Sequence, residues 1–210
     1  AKTIDEVVVA TTDGAKDEVI ITWCLDNEVL FYRGSENDVL DRYYQAAIKF
    51  DADVIVRITA DCPMIDPEIV DIIVEGFLSG DFDGYGLSGE YPDGLDCQVF
   101  KFSALKQAWT EAILASDREH VGSYIENTNP KSFKLGSMSV LKQLGHHRWT
   151  LDEPEDYEFL RLLVSDLCKK NENFRTQDVL DHLDENPKLL SINSNIVRNQ
   201  SYKNMRENEE

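Results

Sequence analysis

Three short runs rich in β-branched residues, at 6–11, 29–32 and 54–59, are each followed by a few polar residues and then a helical stretch, and this alternation leaves few folds open. The first unit continues into a helix over 15–27. The second passes through a polar loop, 33–37, into an amphipathic helix over 38–50 with Val39, Tyr43, Ala46, Ala47 and Phe50 on one side. The third ends in Ala60-Asp61-Cys62-Pro63, after which Asp66 and Pro67 read as an N-cap and first helical residue of a helix reaching 78. Strand and helix in strict alternation predict an α/β fold, a mainly parallel, Rossmann-like sheet with helices on both faces. Ligands of such sheets bind beyond the carboxyl ends of the strands.

After Gly80 the pattern changes. Gly84, Gly86, Gly89, Pro92 and Gly94 interrupt short strand candidates and 96–102 reads as a strand, which predicts a small β insertion. Helices are expected over 103–114 and 117–126, a hairpin-like stretch over 133–141, and a last short strand over 148–151 that runs into a long helix ending near 170. A further helix spans 177–185 with Thr176 as its cap, and the polar end of the chain is expected to be loose. Residues 1–170 are therefore expected to form one α/β domain and 171–210 a helical tail. The chain starts at Ala1 and enters an apolar strand almost at once, so an upstream segment is expected to have been removed.

Charge narrows the partners. Asp and Glu number 40 against 21 Lys and Arg, a formal net charge of -19, so the surface repels nucleic acid and anionic lipid. No run approaches the ~20 apolar residues of a membrane span, and the expected location is the cytoplasm. Cys24, Cys62, Cys97 and Cys168 are far apart and form no Cys-x-x-Cys pair, so four reduced thiols are expected. Trp23, Trp109 and Trp149 are most simply core aromatics.

Two carboxylates, Asp61 and Asp152, each follow a predicted strand and can project from one edge of the sheet. Together they suit Mg²⁺, which takes a few carboxylate oxygens and completes its shell with water and phosphate. The alternative is that each only caps the next helix, since Pro63 and Pro154 mark helix starts nearby. Arg33, Ser35, Asp38 and Arg42 stand at the next strand end, where a hydroxyl and guanidinium groups can meet a base or phosphate; the plainer reading is a cap with an Asp38–Arg42 ion pair. Asp93 and Asp96, in the turn Tyr91-Pro92-Asp93-Gly94-Leu95-Asp96, suit sugar hydroxyls or simply a turn. Arg118 lies in a first helical turn that solvation alone accounts for.

In order along the chain, Arg33-Gly34-Ser35 to Arg42, Arg57-Ile58-Thr59-Ala60-Asp61-Cys62-Pro63, Tyr91 to Asp96, Arg118-Glu119-His120, and Arg148-Trp149-Thr150-Leu151-Asp152-Glu153-Pro154-Glu155-Asp156 resemble one family. It is the cytidylyltransferases of the spore-coat polysaccharide biosynthesis type, related to the synthetases of CMP-activated Kdo and sialic acids. The resemblance implies a nucleotide-diphospho-sugar transferase fold and a reaction in which a sugar hydroxyl attacks the α-phosphate of CTP and releases pyrophosphate, in polysaccharide or glycan biosynthesis. It implies Asp61 and Asp152 as Mg²⁺ ligands and catalytic residues, Arg33, Ser35, Asp38 and Arg42 near the nucleotide, and Asp93, Asp96 and Arg118 on the sugar side. CTP and a sugar are the implied partners, with a homodimer as a candidate assembly. The family opens with a strand and a glycine-, serine- and arginine-rich loop ending in Pro-Gly-Lys, which this sequence does not contain. A nucleotide-sugar-dependent glycosyltransferase, or a non-catalytic truncated subunit, are the competing readings.

Overall fold

The computed structural model of the chain describes residues 1–198 and 200–209. Strands β1 (Val8–Thr12), β2 (Leu30–Gly34) and β3 (Val54–Arg57) alternate with helices α1 (Glu18–Asp26), α2 (Val39–Lys49) and α3 (Pro67–Leu78), as the periodicity predicts. β1 and β2 pair in parallel, from Val8 opposite Leu30 to Thr12 opposite Gly34. β3 belongs to a four-stranded sheet in the order β3, β5 (Gln98–Lys101), β4 (Gly84–Leu87) and β6 (Leu135–Met138). In it β5 runs antiparallel to both neighbours, while β4 and β6 are parallel. Every strand of that sheet except β5 therefore points the same way, and the architecture is the α/β class read from the sequence.

Two adjacent residues of β5 show why helices cover both faces. Val99 and Phe100 are both fully buried and, being neighbours on a strand, point in opposite directions. Val99 joins a cluster with Ile73 and Val74 of α3, Trp149, and Phe159 and Leu163 of α6 (Pro154–Lys170). Phe100 joins another with Leu40 of α2 and with Leu105 and Ala108 of α4 (Phe102–Glu111). The caps hold as read: Asp38 accepts from the Asp41 amide and Asp66 from the Glu68 amide, each at 2.9 Å.

Several expectations are corrected. The helix expected over 117–126 is a short α5 (Ala115–Glu119) followed by a π-helical turn, Tyr124–Thr128. The cause is Asp117, fully buried, whose carboxylate gathers the Ser123 and Thr128 hydroxyls at 2.7 and 2.8 Å and bends the chain around itself. The hairpin-like stretch over 133–141 is the single strand β6, paired in parallel with β4. Residues 148–151 make only an isolated bridge between Arg148 and Asp93. Thr176 is not a cap: its amide and hydroxyl donate to Asp66 at 2.8 and 2.7 Å, tying α7 (Thr176–Glu185) to the start of α3. Trp149 is buried, but Trp109 is half-buried and gives its indole N–H to Asp41 at 2.8 Å. Trp23 is 56% exposed, because α1 covers only the small two-stranded sheet.

Helix α8 (Gln200–Glu207) packs on α5, where Glu209 accepts from the Ser116 amide at 2.8 Å and the Tyr202 ring meets His120 edge-on. An amide at the start of α5 that the helix itself leaves unpaired gains a carboxylate. All four cysteines are free thiols, with Cys168 exposed. Among the described residues no helix is long and apolar enough to cross a membrane.

Candidate functional site

The site begins where β3 ends. After Arg57 the chain turns through Thr59 and Cys62, and the Asp61 carbonyl accepts from the Leu151 amide at 2.8 Å and from the Thr150 hydroxyl at 3.0 Å. These two bonds place Asp61 beside Asp152. One Asp61 oxygen accepts from the Thr59 hydroxyl, and one Asp152 oxygen accepts from Arg148 at 2.9 Å. Burial pushes the Asp152 carboxyl up and the charge of Asp61 pushes it further, against the pull of Arg148. Two neighbouring hard carboxylates are a donor set a divalent cation relieves, and Mg²⁺ needs no more than one or two. Among the described residues, no group of three or more such side chains surrounds a common point.

Behind the pair lies Arg148. Its Nε and Nη2 meet the two oxygens of the fully buried Asp156 at 2.9 and 2.7 Å, its Nη1 meets Asp93 at 2.9 Å, and its Nη2 also reaches Asp152. Asp156 in turn accepts from the Asp152 and Glu153 amides at the start of α6, at 3.1 and 3.0 Å, and from the Asn193 side chain at 2.8 Å. Burial opposes the Asp156 charge, but the Arg148 guanidinium and these donors hold its carboxyl below the usual range. One buried guanidinium therefore fixes Asp93, Asp152 and Asp156 against one another.

Asp93 and Asp96 face a second guanidinium. Arg198 lies 3.2 Å from Asp93 and 3.0 Å from Asp96, donates to the Tyr91 carbonyl at 3.1 Å, and stacks 4.6 Å from the centre of the Tyr91 ring, whose hydroxyl donates to Asp96 at 2.8 Å. The turn that carries them depends on Gly94. Its φ is +98°, and a Cβ there would lie 2.6 Å from the Thr150 amide nitrogen, so only glycine lets the turn lie flat on residues 149 and 150. The candidate sugar carboxylates are thus registered against the segment that carries Asp152.

The loop after β2 is held differently. Arg33 donates to the carbonyls of Thr12 and Asp13 at 3.3 and 3.0 Å and pairs with Glu18 at 2.7 Å. Asp38 pairs with Arg118, whose Nε lies 3.0 Å from both carboxylate oxygens, in place of the expected Asp38–Arg42 pair. Arg42 turns back over Gly34 and donates to the Ser35 carbonyl at 2.6 Å. Arg118 also donates to the Trp109 carbonyl at 2.7 Å, so it stands with the loop and not with Asp93 and Asp96. The structure thus joins Asp61, Asp152, Asp93 and Asp96 into one acidic array and gathers Arg33, Ser35, Asp38, Arg42 and Arg118 around the other strand end.

The motif from Arg148 to Asp156 is read from the sequence, which assigns no role to Arg148, Asp156, Asn193 or Arg198. Arg148, Asp152 and Asp156 recur at a spacing of four across a helix start, a pattern that marks a charge network. Nothing in the sequence around Arg198 points to Asp96.

A family model described as cytidylyltransferase matches residues 1–190. The chain is similar to an uncharacterized protein of Methanocaldococcus jannaschii, 40% identical over 209 residues that cover 99% of this chain and 84% of that protein. It is also similar to the spore coat polysaccharide biosynthesis protein SpsF of Bacillus subtilis, 29% identical over 162 residues, 76% of this chain and 67% of that one. Among solved structures, a cytidylyltransferase from Leptospira borgpetersenii superposes with a TM-score of 0.83 at 31% identity, covering 91% of this chain and 79% of its own.

Proposed function

The chain belongs to the cytidylyltransferase family, which are nucleotidyltransferases, and from that premise we propose that it transfers the cytidylyl group of CTP to a sugar hydroxyl. The hydroxyl oxygen bonds to the α-phosphorus as the bond to the β-phosphate oxygen breaks; pyrophosphate leaves and the hydroxyl proton passes to solvent. The observation that carries this reading is the juxtaposition of Asp61 and Asp152 through the Leu151 and Thr150 hydrogen bonds to the Asp61 carbonyl.

Asp61 and Asp152 would hold Mg²⁺, which supplies neutralisation of phosphate charge when bound. Arg148 fixes the Asp152 carboxylate, so that one of its oxygens is committed inward and the other is free for the ion. Asp96, on the Tyr91–Asp96 turn, would accept from sugar hydroxyls, with Asp93 held behind it by Arg148 and Arg198. Arg33, Ser35, Asp38 and Arg42 would border the nucleotide, with Arg118 bracing Asp38. Protein and substrates meet in the cytoplasm on this reading, where CTP is made.

The test is pyrophosphate release from each of the four nucleoside triphosphates, with Mg²⁺ and a panel of acidic and neutral sugars. Release confined to CTP and one sugar class is expected. Release of a nucleoside di- or monophosphate from a nucleotide sugar would replace this reading with a glycosyltransferase. No turnover and no thermal shift with CTP and Mg²⁺ would leave a non-catalytic chain.

A further inference from the structure

Acidic residues outnumber basic ones about two to one here, and every arginine but two has a described carboxylate within ion-pair reach. The exceptions are Arg42 and Arg57. Each makes one side-chain hydrogen bond, to a neutral oxygen: Arg42 to the Ser35 carbonyl at 2.6 Å and Arg57 to the Gln98 side chain at 2.9 Å. In both, the Nε atom is shielded from solvent and has no partner among the described residues. A half-buried guanidinium with no described carboxylate in ion-pair reach, in so acidic a chain, is a donor set that can take an anion.

The two belong together. Arg42 and Tyr43 are neighbours on α2, and the Tyr43 hydroxyl donates to the Ile58 carbonyl at 3.3 Å, one residue past Arg57. Ile58 follows Arg57 directly, so the Tyr43 hydroxyl ties the helix that carries Arg42 to the strand end that carries Arg57, four residues before Asp61. Gln98 stands between Arg57 and Glu126. It accepts from Arg57 and donates to Glu126 at 2.6 Å, so the guanidinium is oriented by a neutral amide. Gln98 is itself held against Gly122, where a Cβ would lie 2.7 Å from its amide nitrogen.

We propose that Arg57, with Arg42 across Tyr43, forms an oxyanion-binding pair beside Asp61 that holds a phosphate or carboxylate group of a substrate. This extends the nucleotide side of the proposed function and adds Arg57 to it. Phosphate of the nucleotide or pyrophosphate, and the carboxylate of an acidic sugar, share the chemistry a guanidinium recognises.

The test uses the full chain and titrates inorganic pyrophosphate and, separately, a carboxylate-bearing keto sugar, by calorimetry at low and at physiological salt. The parent is expected to bind one of the two, more weakly as salt rises. Arg57→Gln and Arg42→Gln should each weaken that anion about tenfold or more. Arg57→Lys should keep part of the affinity, and Arg161→Gln, on the exposed face of α6, should keep all of it. Loss of pyrophosphate binding alone assigns the pair to phosphate; loss of the keto sugar alone assigns it to the carboxylate. Circular dichroism confirms that each variant is folded. Unchanged binding of both anions in folded Arg57→Gln and Arg42→Gln, or no binding of either anion by the parent, overturns the proposal. Anion binding needs no turnover, so a chain that binds pyrophosphate through Arg57 yet transfers nothing from CTP would sink the proposed function and leave the oxyanion pair standing.

Discussion

Arg148 grips Asp156 through two parallel hydrogen bonds, Nε to Oδ1 at 2.9 Å and Nη2 to Oδ2 at 2.7 Å, with the Asp156 carboxylate shut away from solvent. A forked pair of this kind fixes both groups in one plane. Its remaining nitrogen holds Asp93, so the same residue registers the Tyr91–Asp96 turn against the start of α6.

Arg148→Met is accordingly expected to lose about 3–5 kcal/mol of stability, because it strands a buried charge. The double change Arg148→Met with Asp156→Leu should recover a large part of that loss, since no charge is then left inside. Urea unfolding midpoints of both proteins decide it. A single variant as stable as the parent would mean that Asp156 carries no charge in the fold.

Asp61→Asn and Asp152→Asn should each leave the fold intact, since neither carboxylate is fully buried and both burial and the Asp61 charge raise the Asp152 proton affinity. On the proposed function, each lowers Mg²⁺-dependent pyrophosphate release by about 100-fold or more. The thermal shift produced by Mg²⁺ with CTP should shrink in parallel. Full activity in either folded variant would remove that residue from the site.

Burial pushes Glu126 from the ordinary carboxylate range up to about 7, against the pull of Arg57 and the Gln98 hydrogen bond. A carboxyl with a raised folded pKa binds its proton more tightly folded than unfolded, so its contribution is most favourable below the unfolded value and is lost as pH rises through about 7. Glu126→Gln should therefore be more stable than the parent at pH 8, by about 2 kcal/mol. It should also flatten the fall in stability between about pH 5 and 7. Thermal unfolding across that range checks both, and an unchanged slope would assign the pH dependence elsewhere.

Gly94→Ala meets two obstacles at once, a positive φ and the backbone of residues 149 and 150. A cost of about 1–3 kcal/mol is expected from the backbone conformation alone, with more if residues 149 and 150 cannot move. Because that turn carries Asp93 and Asp96, the apparent KM for the sugar should rise more than that for CTP. Equal changes in the two constants would mean a global loss of fold and no specific role for the turn.

The alternation of β-branched runs and amphipathic helices was enough to place β1 to β3 and α1 to α3, because each signal is carried by residues within one element. The same holds for the Asp38 and Asp66 caps, and the strand-end position of Asp61 followed from the third run. The extent of α5 and the parallel pairing of β6 were hidden, since Asp117 breaks its helix by collecting hydroxyls from the next turn and β6 chooses its partner across the sheet. The motifs named the acidic residues at the site but not the geometry between them. Asp61 meets Asp152 through a carbonyl that two residues of a distant segment bond, and Arg198 reaches Asp96 across 102 residues of sequence. Composition fixed the excess of negative charge. Which two arginines have no described carboxylate in ion-pair reach is a matter of tertiary packing, where long-range contacts and burial set the outcome and local sequence does not.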